Sequence, residues 1–247
     1  MVTLSNAPTS AQAPSTHMVP EEPVLDLNDP EWRDSFDSGN ASIEGVSTLR
    51  KPRVFIISGP SAVGKDAVLA ELKEHFIDAT YIVTATTRDR RKNEVHGRDY
   101  LFFTEEDFRT GIANGDFLEF EEVYPGKLYG VPRETVVNGL AAGKDVIIKV
   151  DVKGHTNLQN RITGATSIFI APESMQSLYD RLLQRKTETL QDFKTRLRTA
   201  AAELQQINKF DYVVFNRDDQ LEACVADICG IIHSELFRTD QPDVTVS

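Results

Sequence analysis

The stretch Val54-Phe55-Ile56-Ile57-Ser58-Gly59-Pro60-Ser61-Ala62-Val63-Gly64-Lys65-Asp66-Ala67-Val68-Leu69 decides the fold. Its first four residues are apolar and mostly β-branched, the middle carries two glycines with four residues between them, and the end has helical apolar spacing. Strand, glycine-rich loop and helix in that order make a phosphate cradle. Only glycine lets the backbone turn tightly enough for successive N–H groups to face one oxyanion, and the helix start adds partial positive charge. The loop from Gly59 through Pro60, Ser61, Ala62, Val63 and Gly64 to Lys65, with Asp66 and Ala67 behind it, is therefore the candidate ATP-type triphosphate site, with Lys65 reaching the outer phosphates. One position departs from the motif: Asp66 stands where a Ser or Thr hydroxyl ordinarily meets Mg²⁺.

Outward from the loop, short apolar segments at 53–58, 81–85, 145–150, 166–170 and 212–215 alternate with helical patterns at 65–75, 155–162, 174–185, 190–208 and 219–236. Such alternation predicts an α/β fold, a parallel sheet with helices on both faces and a ligand site at the carboxyl ends of the strands. The alternation breaks between 86 and 143. There Asp99–Phe103 and Phe117–Tyr124 read as antiparallel strands around a helix capped at Thr104, followed by a helix from Arg133 to Gly143. This insertion predicts a separate lobe.

Residues 1–50 contain five of the eleven prolines and eight acidic residues against two basic ones, so they read as a disordered acidic extension. Residues 239–247 read as a short tail. With a net charge of −11 and no apolar run long enough to span a bilayer, the chain is not expected to take nucleic acid or a membrane as its main partner. The two cysteines, Cys224 and Cys229, lie five apart in the last helical pattern, where their side chains do not face each other, so no disulfide and a reducing compartment are expected.

The segment Thr84-Ala85-Thr86-Thr87-Arg88-Asp89-Arg90-Arg91-Lys92-Asn93-Glu94-Val95-His96-Gly97-Arg98-Asp99-Tyr100 gathers five cations and a tyrosine just past a strand, where a second phosphate-bearing substrate would lie. Arginine forks suit phosphate oxygens bidentately. Together with the loop, this segment resembles the guanylate kinases, which transfer a phosphoryl group from ATP to GMP; the likeness covers about residues 52–237.

The resemblance implies a P-loop kinase fold, a GMP lobe at 84–143 and a small lid at 181–198. It gives Arg88, Arg91, Tyr100 and Tyr129 to the acceptor phosphate, with Glu94 beside them, and Thr84, Glu119 and Asp151 to the guanine side. Arg181, Arg185 and Arg196 would close on the donor phosphates as catalytic cations with Lys65, while Asn216 would lie near the adenine. Mg²⁺ would arrive with ATP. Two positions depart further from the pattern: Val131 replaces a hydroxyl residue, and Lys149 stands where an Asp is common.

Two other functions remain open to the sequence. One is a same-fold kinase acting on a phosphorylated sugar such as ribose 1,5-bisphosphate, and the other is a non-catalytic guanylate-kinase-like binding module. The expected state is a monomer or weak dimer in the cytoplasm, with a plastid or mitochondrion as the alternative suggested by Asp66 and the Tyr-Gly-Val-Pro segment. Asp66 raises a problem of its own. A carboxylate about 4 Å from a phosphate at an effective dielectric near 20 costs on the order of 4 kcal/mol. The sequence offers the helix start and Mg²⁺ as compensation, which predicts a metal requirement set by Asp66.

Overall fold

The computed structural model describes residues 30–47, 50–124, 126–183 and 190–247. Two units separate, residues 1–47 and 48–247. In the first, Pro30–Ser47 forms helix α1, where composition predicts no structure. Pro30 sits at the first helical position, where its fixed φ and missing N–H are favourable. Its described side chains are exposed, Phe36 and Ile43 included. Residues 1–29, 48 and 49 of the predicted extension lie outside the described residues.

The second unit begins with β1 (Val54–Ser58), α2 (Lys65–His75), β2 (Thr80–Tyr81), β3 (Ala85–Thr86), β4 (Leu101–Phe102), α3 (Glu105–Asn114), β5 (Phe117–Tyr124), β6 (Lys127–Pro132) and α4 (Arg133–Ala141). It continues with β7 (Val146–Lys149), α5 (Val152–Gln159), β8 (Ile162–Thr163), β9 (Thr166–Pro172), α6 (Met175–Leu183), α7 (Leu190–Leu204), a 3₁₀ turn (Ile207–Lys209), β10 (Tyr212–Asn216), α8 (Leu221–Leu236) and β11 (Thr245–Val246). The central sheet runs β10-β9-β1-β7-β2 and every pairing in it is parallel. Because side chains alternate across a strand, Phe55 and Ile57 face Val68 and Leu72 of α2 and Val225, Ile228 and Ile232 of α8. Val54 and Ile56 face the opposite way, onto Val136 and Leu158. Both faces are buried, which is why these strands read as continuous apolar runs.

The lobe is a second sheet, ordered β4-β3-β6-β5. Three sequence expectations change here. The segment expected as one strand at 81–85 is shared out: Thr80–Tyr81 joins the central sheet and Ala85–Thr86 joins the lobe, so the chain crosses between sheets within four residues. Leu101–Phe102 does not form an antiparallel pair with Phe117–Tyr124: it pairs in parallel with β3, because the basic loop between them carries the chain back to the same end, and β5 lies two strands further on. Finally, Lys127–Pro132, for which the sequence carries no strand expectation, is the strand linking β3 to β5.

A small core of Ala85, Phe108, Phe117 and Leu128 holds the lobe, with the Phe108 and Phe117 rings stacked at 4.4 Å. Gly130 passes under this stack, where a Cβ would lie 3.0 Å from both rings. Leu118 and Val131 point the other way and join the apolar layer under the central sheet, anchoring the lobe to it.

The C-terminal segment is not a loose tail. Thr245–Val246 pairs antiparallel with Ile162–Thr163, and the buried Arg53 donates through Nη1 to the Pro242 carbonyl at 2.7 Å. Arg53 is 2% exposed, and a guanidinium taken that far from water requires such partners; the chain end supplies one and Glu235 another at 3.9 Å. Cys224 and Cys229 are free thiols, as their spacing predicts.

Candidate functional site

The glycine-rich loop leaves β1 at its carboxyl end and enters α2. Gly59 has φ +148° and lies so close to β9 that a Cβ would meet the Ile170 carbonyl at 2.3 Å, and Gly64 has φ +99°. Ala62 also takes a left-handed conformation, at φ 66°, which costs a non-glycine residue roughly 1–2 kcal/mol. Lys65 Nζ folds back over the loop and donates to the Gly59 carbonyl at 2.5 Å and the Pro60 carbonyl at 3.0 Å. Its pKa lies below the ordinary lysine value because burial outweighs the pull of the Glu203 and Asp151 carboxylates. A bound anion at the loop would reverse that balance and hold the ammonium charged.

On the far side of the loop, the Val63 carbonyl accepts from Asn216 Nδ2 at 2.8 Å and from Arg181 Nη1 at 2.9 Å. Arg181 also donates to the Asn216 carbonyl and to Asp218. Asn216 and Arg181 thus clamp the loop from β10 and α6, and Asn216 Nδ2 would meet a Cβ on Gly64 at 2.5 Å. Arg196 lies half-buried on α7, and Arg185 lies outside the described residues. Sequence reasoning missed Glu203, on the last turn of α7. Burial raises its carboxyl pKa, opposed by Lys65 and by the Ser61 backbone N–H. Its only sequence signal was its place on a helix already assigned to the donor side.

In the lobe, Arg88 and Glu94 form a fork, Nη1 to Oε2 at 2.8 Å and Nη2 to Oε1 at 2.7 Å. Glu94 also accepts from the Arg91 backbone N–H at 2.8 Å, and its pKa is depressed, first by Arg88. The Arg88 guanidinium stands 5.0 Å from the Tyr100 ring, and Tyr129 meets Tyr100 edge-on at 6.0 Å. The fold therefore gathers Arg88, Glu94, Tyr100 and Tyr129 into one cluster. The Arg91 side chain is exposed beside it. Thr84, half-buried between β2 and β3, accepts the Leu101 N–H through its own carbonyl at 3.0 Å.

Deeper in the lobe, Glu119 is 6% exposed and its Oε2 has no hydrogen-bond partner. Burial pushes its pKa up to about 8, with help from the Asp151 and Glu121 carboxylates. Asp151 caps α5, accepting from the Gly154 N–H at 2.7 Å. A buried, unpartnered carboxylate is costly unless a ligand satisfies it. Val131, cross-strand from Glu119, is fully buried in the apolar layer, which accounts for an aliphatic residue there instead of a hydroxyl.

The family model described as Guanylate kinase matches residues 51–235. The chain belongs to the guanylate kinase family. It is 39% identical to guanylate kinase 2, chloroplastic/mitochondrial, of Oryza sativa subsp. japonica, over 83% of this chain and 72% of that one. It is 38% identical to the guanylate kinase of Corynebacterium jeikeium, over 73% of this chain and 97% of that one. Among solved structures, the guanylate kinase from Anaplasma phagocytophilum superposes with a TM-score of 0.62 at 28% identity, covering 78% of this chain and 90% of that chain.

Within this guanylate kinase fold, the two positions that depart from the family pattern by charge come together. Lys149, at the end of β7, donates to Asp66 Oδ1 at 2.5 Å. Asp66 is therefore compensated by a lysine from the neighbouring strand, which the sequence pattern alone does not pair with it. Among the described residues, no group of three or more His, Cys, Asp or Glu side chains is arranged to hold a metal ion.

Proposed function

We propose that this protein phosphorylates GMP, and dGMP with it, at the expense of ATP. The observation that carries the reading is Glu119: a buried carboxylate with an unpartnered oxygen on β5, whose neighbouring strand β6 carries Tyr129 of the arginine–tyrosine cluster. A guanine edge presents a ring N–H and an amino group side by side, which one carboxylate accepts together, whereas adenine has no such pair. A phosphorylated sugar would leave that carboxylate buried and unsatisfied, and a binding module without chemistry would have no use for Lys65 in an intact loop.

ATP would lie with its phosphates in the loop from Gly59 to Ala67, held by backbone N–H groups, by Lys65 and by the start of α2. Asn216 and Arg181 support this loop from behind, with Arg196 and Arg185 as further donor-side cations. GMP would sit in the lobe, its phosphate taken by Arg88, Arg91, Tyr100 and Tyr129 and its base by Glu119, Asp151 and Thr84. Glu94 keeps the Arg88 fork planar and aimed until a phosphate competes for it. Mg²⁺, carried in by the triphosphate, would neutralise phosphate charge. A hard cation of this kind needs only one or two protein carboxylates beside substrate oxygens, which fits a site where Asp66 stands exposed at the helix start.

The transferred group needs alignment and charge neutralisation more than covalent help, and the GMP phosphate is already ionised, so no general base is required. Lys65 spans the donor side of that path. A coupled assay with ATP, Mg²⁺ and separate acceptors GMP, dGMP, AMP, CMP, UMP and ribose 1,5-bisphosphate tests the reading. Preferred turnover of GMP is expected, and equal or greater turnover of another acceptor overturns it. Of the compartments open to the sequence, a plastid or mitochondrion has the support of the rice relative's printed name. A fluorescent fusion of the full chain tests that placement.

A further inference from the structure

Asp66 and Lys149 are 83 positions apart in sequence, yet their contact follows directly from the sheet. β1 ends at the phosphate loop, β7 is its hydrogen-bonded neighbour, and Lys149 is in register with Ile57, two residues before Gly59. The Lys149 ammonium is consequently placed beside the start of α2. It also lies 5.6 Å from the centre of the Tyr100 ring, and so within reach of the acceptor-phosphate cluster. Both Lys149 and Asp66 act electrostatically on Lys65. The Lys149 side chain is 20% exposed, whereas Asp66 is 79% exposed.

An ion pair with one partner so open to water contributes little stability, typically about 0–1 kcal/mol, so holding the fold together is a poor account of it. Its position is more informative. The pair sits on the seam between the donor loop and the acceptor cluster, where the outer phosphate of one nucleotide must meet the phosphate of the other. A lone carboxylate there would repel both. A lysine held there by that carboxylate leaves the pair neutral as a whole and presents its cationic end toward Tyr100.

We propose that Asp66 and Lys149 act as one unit, in which Asp66 positions the Lys149 ammonium between the two phosphate sites and Lys149 neutralises charge on the oxygens that meet during transfer. This rests on the GMP kinase reading above. Lys149 becomes a further cation of the transfer site, alongside Lys65 and Arg88, and Asp66 its positioning residue. The charge of Asp66 is thereby answered in part within the protein, so that Mg²⁺ arriving with ATP is not its sole compensation.

Kinetics and calorimetry on the full chain test this with Lys149→Ala, Lys149→Arg, Asp66→Ser and the Asp66→Ser/Lys149→Ala double variant, each checked for an unchanged melting temperature. Lys149→Ala should lower kcat on the order of 100-fold, comparable to losing one preorganised charge-stabilising donor, while the KM for GMP stays within about threefold. Lys149→Arg should recover most of the loss. Asp66→Ser should lose about tenfold alone and add nothing to Lys149→Ala in the double variant, because residues acting as a unit are not additive. In EDTA, an analogue joining adenosine and guanosine through five phosphates should bind Lys149→Ala at least about tenfold more weakly than the parent, with GMP alone little affected.

Unchanged kcat in Lys149→Ala, losses that multiply in the double variant, or equal analogue binding would each overturn the proposal. A parent enzyme that phosphorylates GMP while the variants match it refutes only this inference. A parent that leaves GMP untouched refutes the function and this inference together.

Discussion

In the proposed reading, the donor loop and the acceptor lobe would bind the same kind of group by different means. At the loop, the contacts are backbone: glycines at positive φ, carbonyls taken by Lys65, and a Val63 carbonyl clamped by Asn216 and Arg181. In the lobe, the candidate recognising atoms belong to side chains on a small sheet, and they are paired with each other or left without a partner. Arg88 is forked to Glu94, and Glu119 keeps a buried oxygen unsatisfied. Backbone N–H groups do not titrate, while a side-chain site for the base holds its selectivity in protonation states. The acceptor lobe should therefore be the part of the enzyme that responds to pH.

The largest effect that separates the two regions is expected at Lys65. Lys65→Met should cut kcat by on the order of 10³-fold, in the range for removing a cation from a phosphoryl-transfer site, and leave GMP affinity within about threefold by calorimetry. A comparable loss of GMP binding would show that the two regions are not separable.

His155 gives a stability counterpart on the lobe side. It lies on α5, the helix capped by Asp151, fully buried and stacked on Phe210 at 3.8 Å, and burial lowers its pKa to about 4. The unfolded chain binds a proton near pH 6.5 that the native state refuses, so this contribution is complete above pH 6.5 and is lost as pH falls toward 4. It amounts to about 3 kcal/mol in all. Urea unfolding of the parent and of His155→Phe between pH 7 and 4.5 should show a shallower decline in the variant, and parallel curves would place the acid sensitivity elsewhere.

Glu119 should set the pH dependence of GMP binding. Guanine needs the carboxylate, yet with a pKa of about 8 the empty site is mostly protonated at neutral pH. Affinity should rise with pH and level off above 8, by about eightfold between pH 6.5 and 7.5 from this group alone. Glu119→Gln cannot titrate there. The difference between its calorimetric pH profile and the parent's isolates Glu119 from the GMP phosphate, and identical slopes would remove it from base recognition.

The smallest effect tests how stiff the donor loop is. Ala62→Gly relieves the left-handed strain but loosens the unfolded chain, so a net gain of about 1 kcal/mol or less is expected in chemical denaturation. GMP affinity should not change. A loss of stability would mean that the Ala62 methyl, packed against the main core, matters more than its φ.

Much of the donor side was legible in advance because its signals are local. The boundaries of α2 are those predicted, 65–75, and the buried strands around the loop fall within a residue or two of their apolar runs. The lobe was harder. Its strands are only two residues long in places, too short for a periodic pattern, and their pairing depends on where the basic loop returns the chain. Tyr129-Gly130-Val131 shows no strand pattern of its own; the Phe108–Phe117 stack and the apolar layer occupy its two sides only in the folded lobe.

By itself, the sequence determined the phosphate loop, the alternating α/β core and the family, because glycine spacing and apolar runs act through local backbone geometry and burial. Only the tertiary structure decided the charge state of Glu119, the clamping role of Asn216, the docking of the last residues on Arg53, and the pairing of Asp66 with Lys149. Each depends on how far a side chain is removed from water and on which distant charge lies within a few ångströms. Neither quantity is written in one stretch of chain, and the parallel register of β1 with β7 brings the two unusual charges into contact.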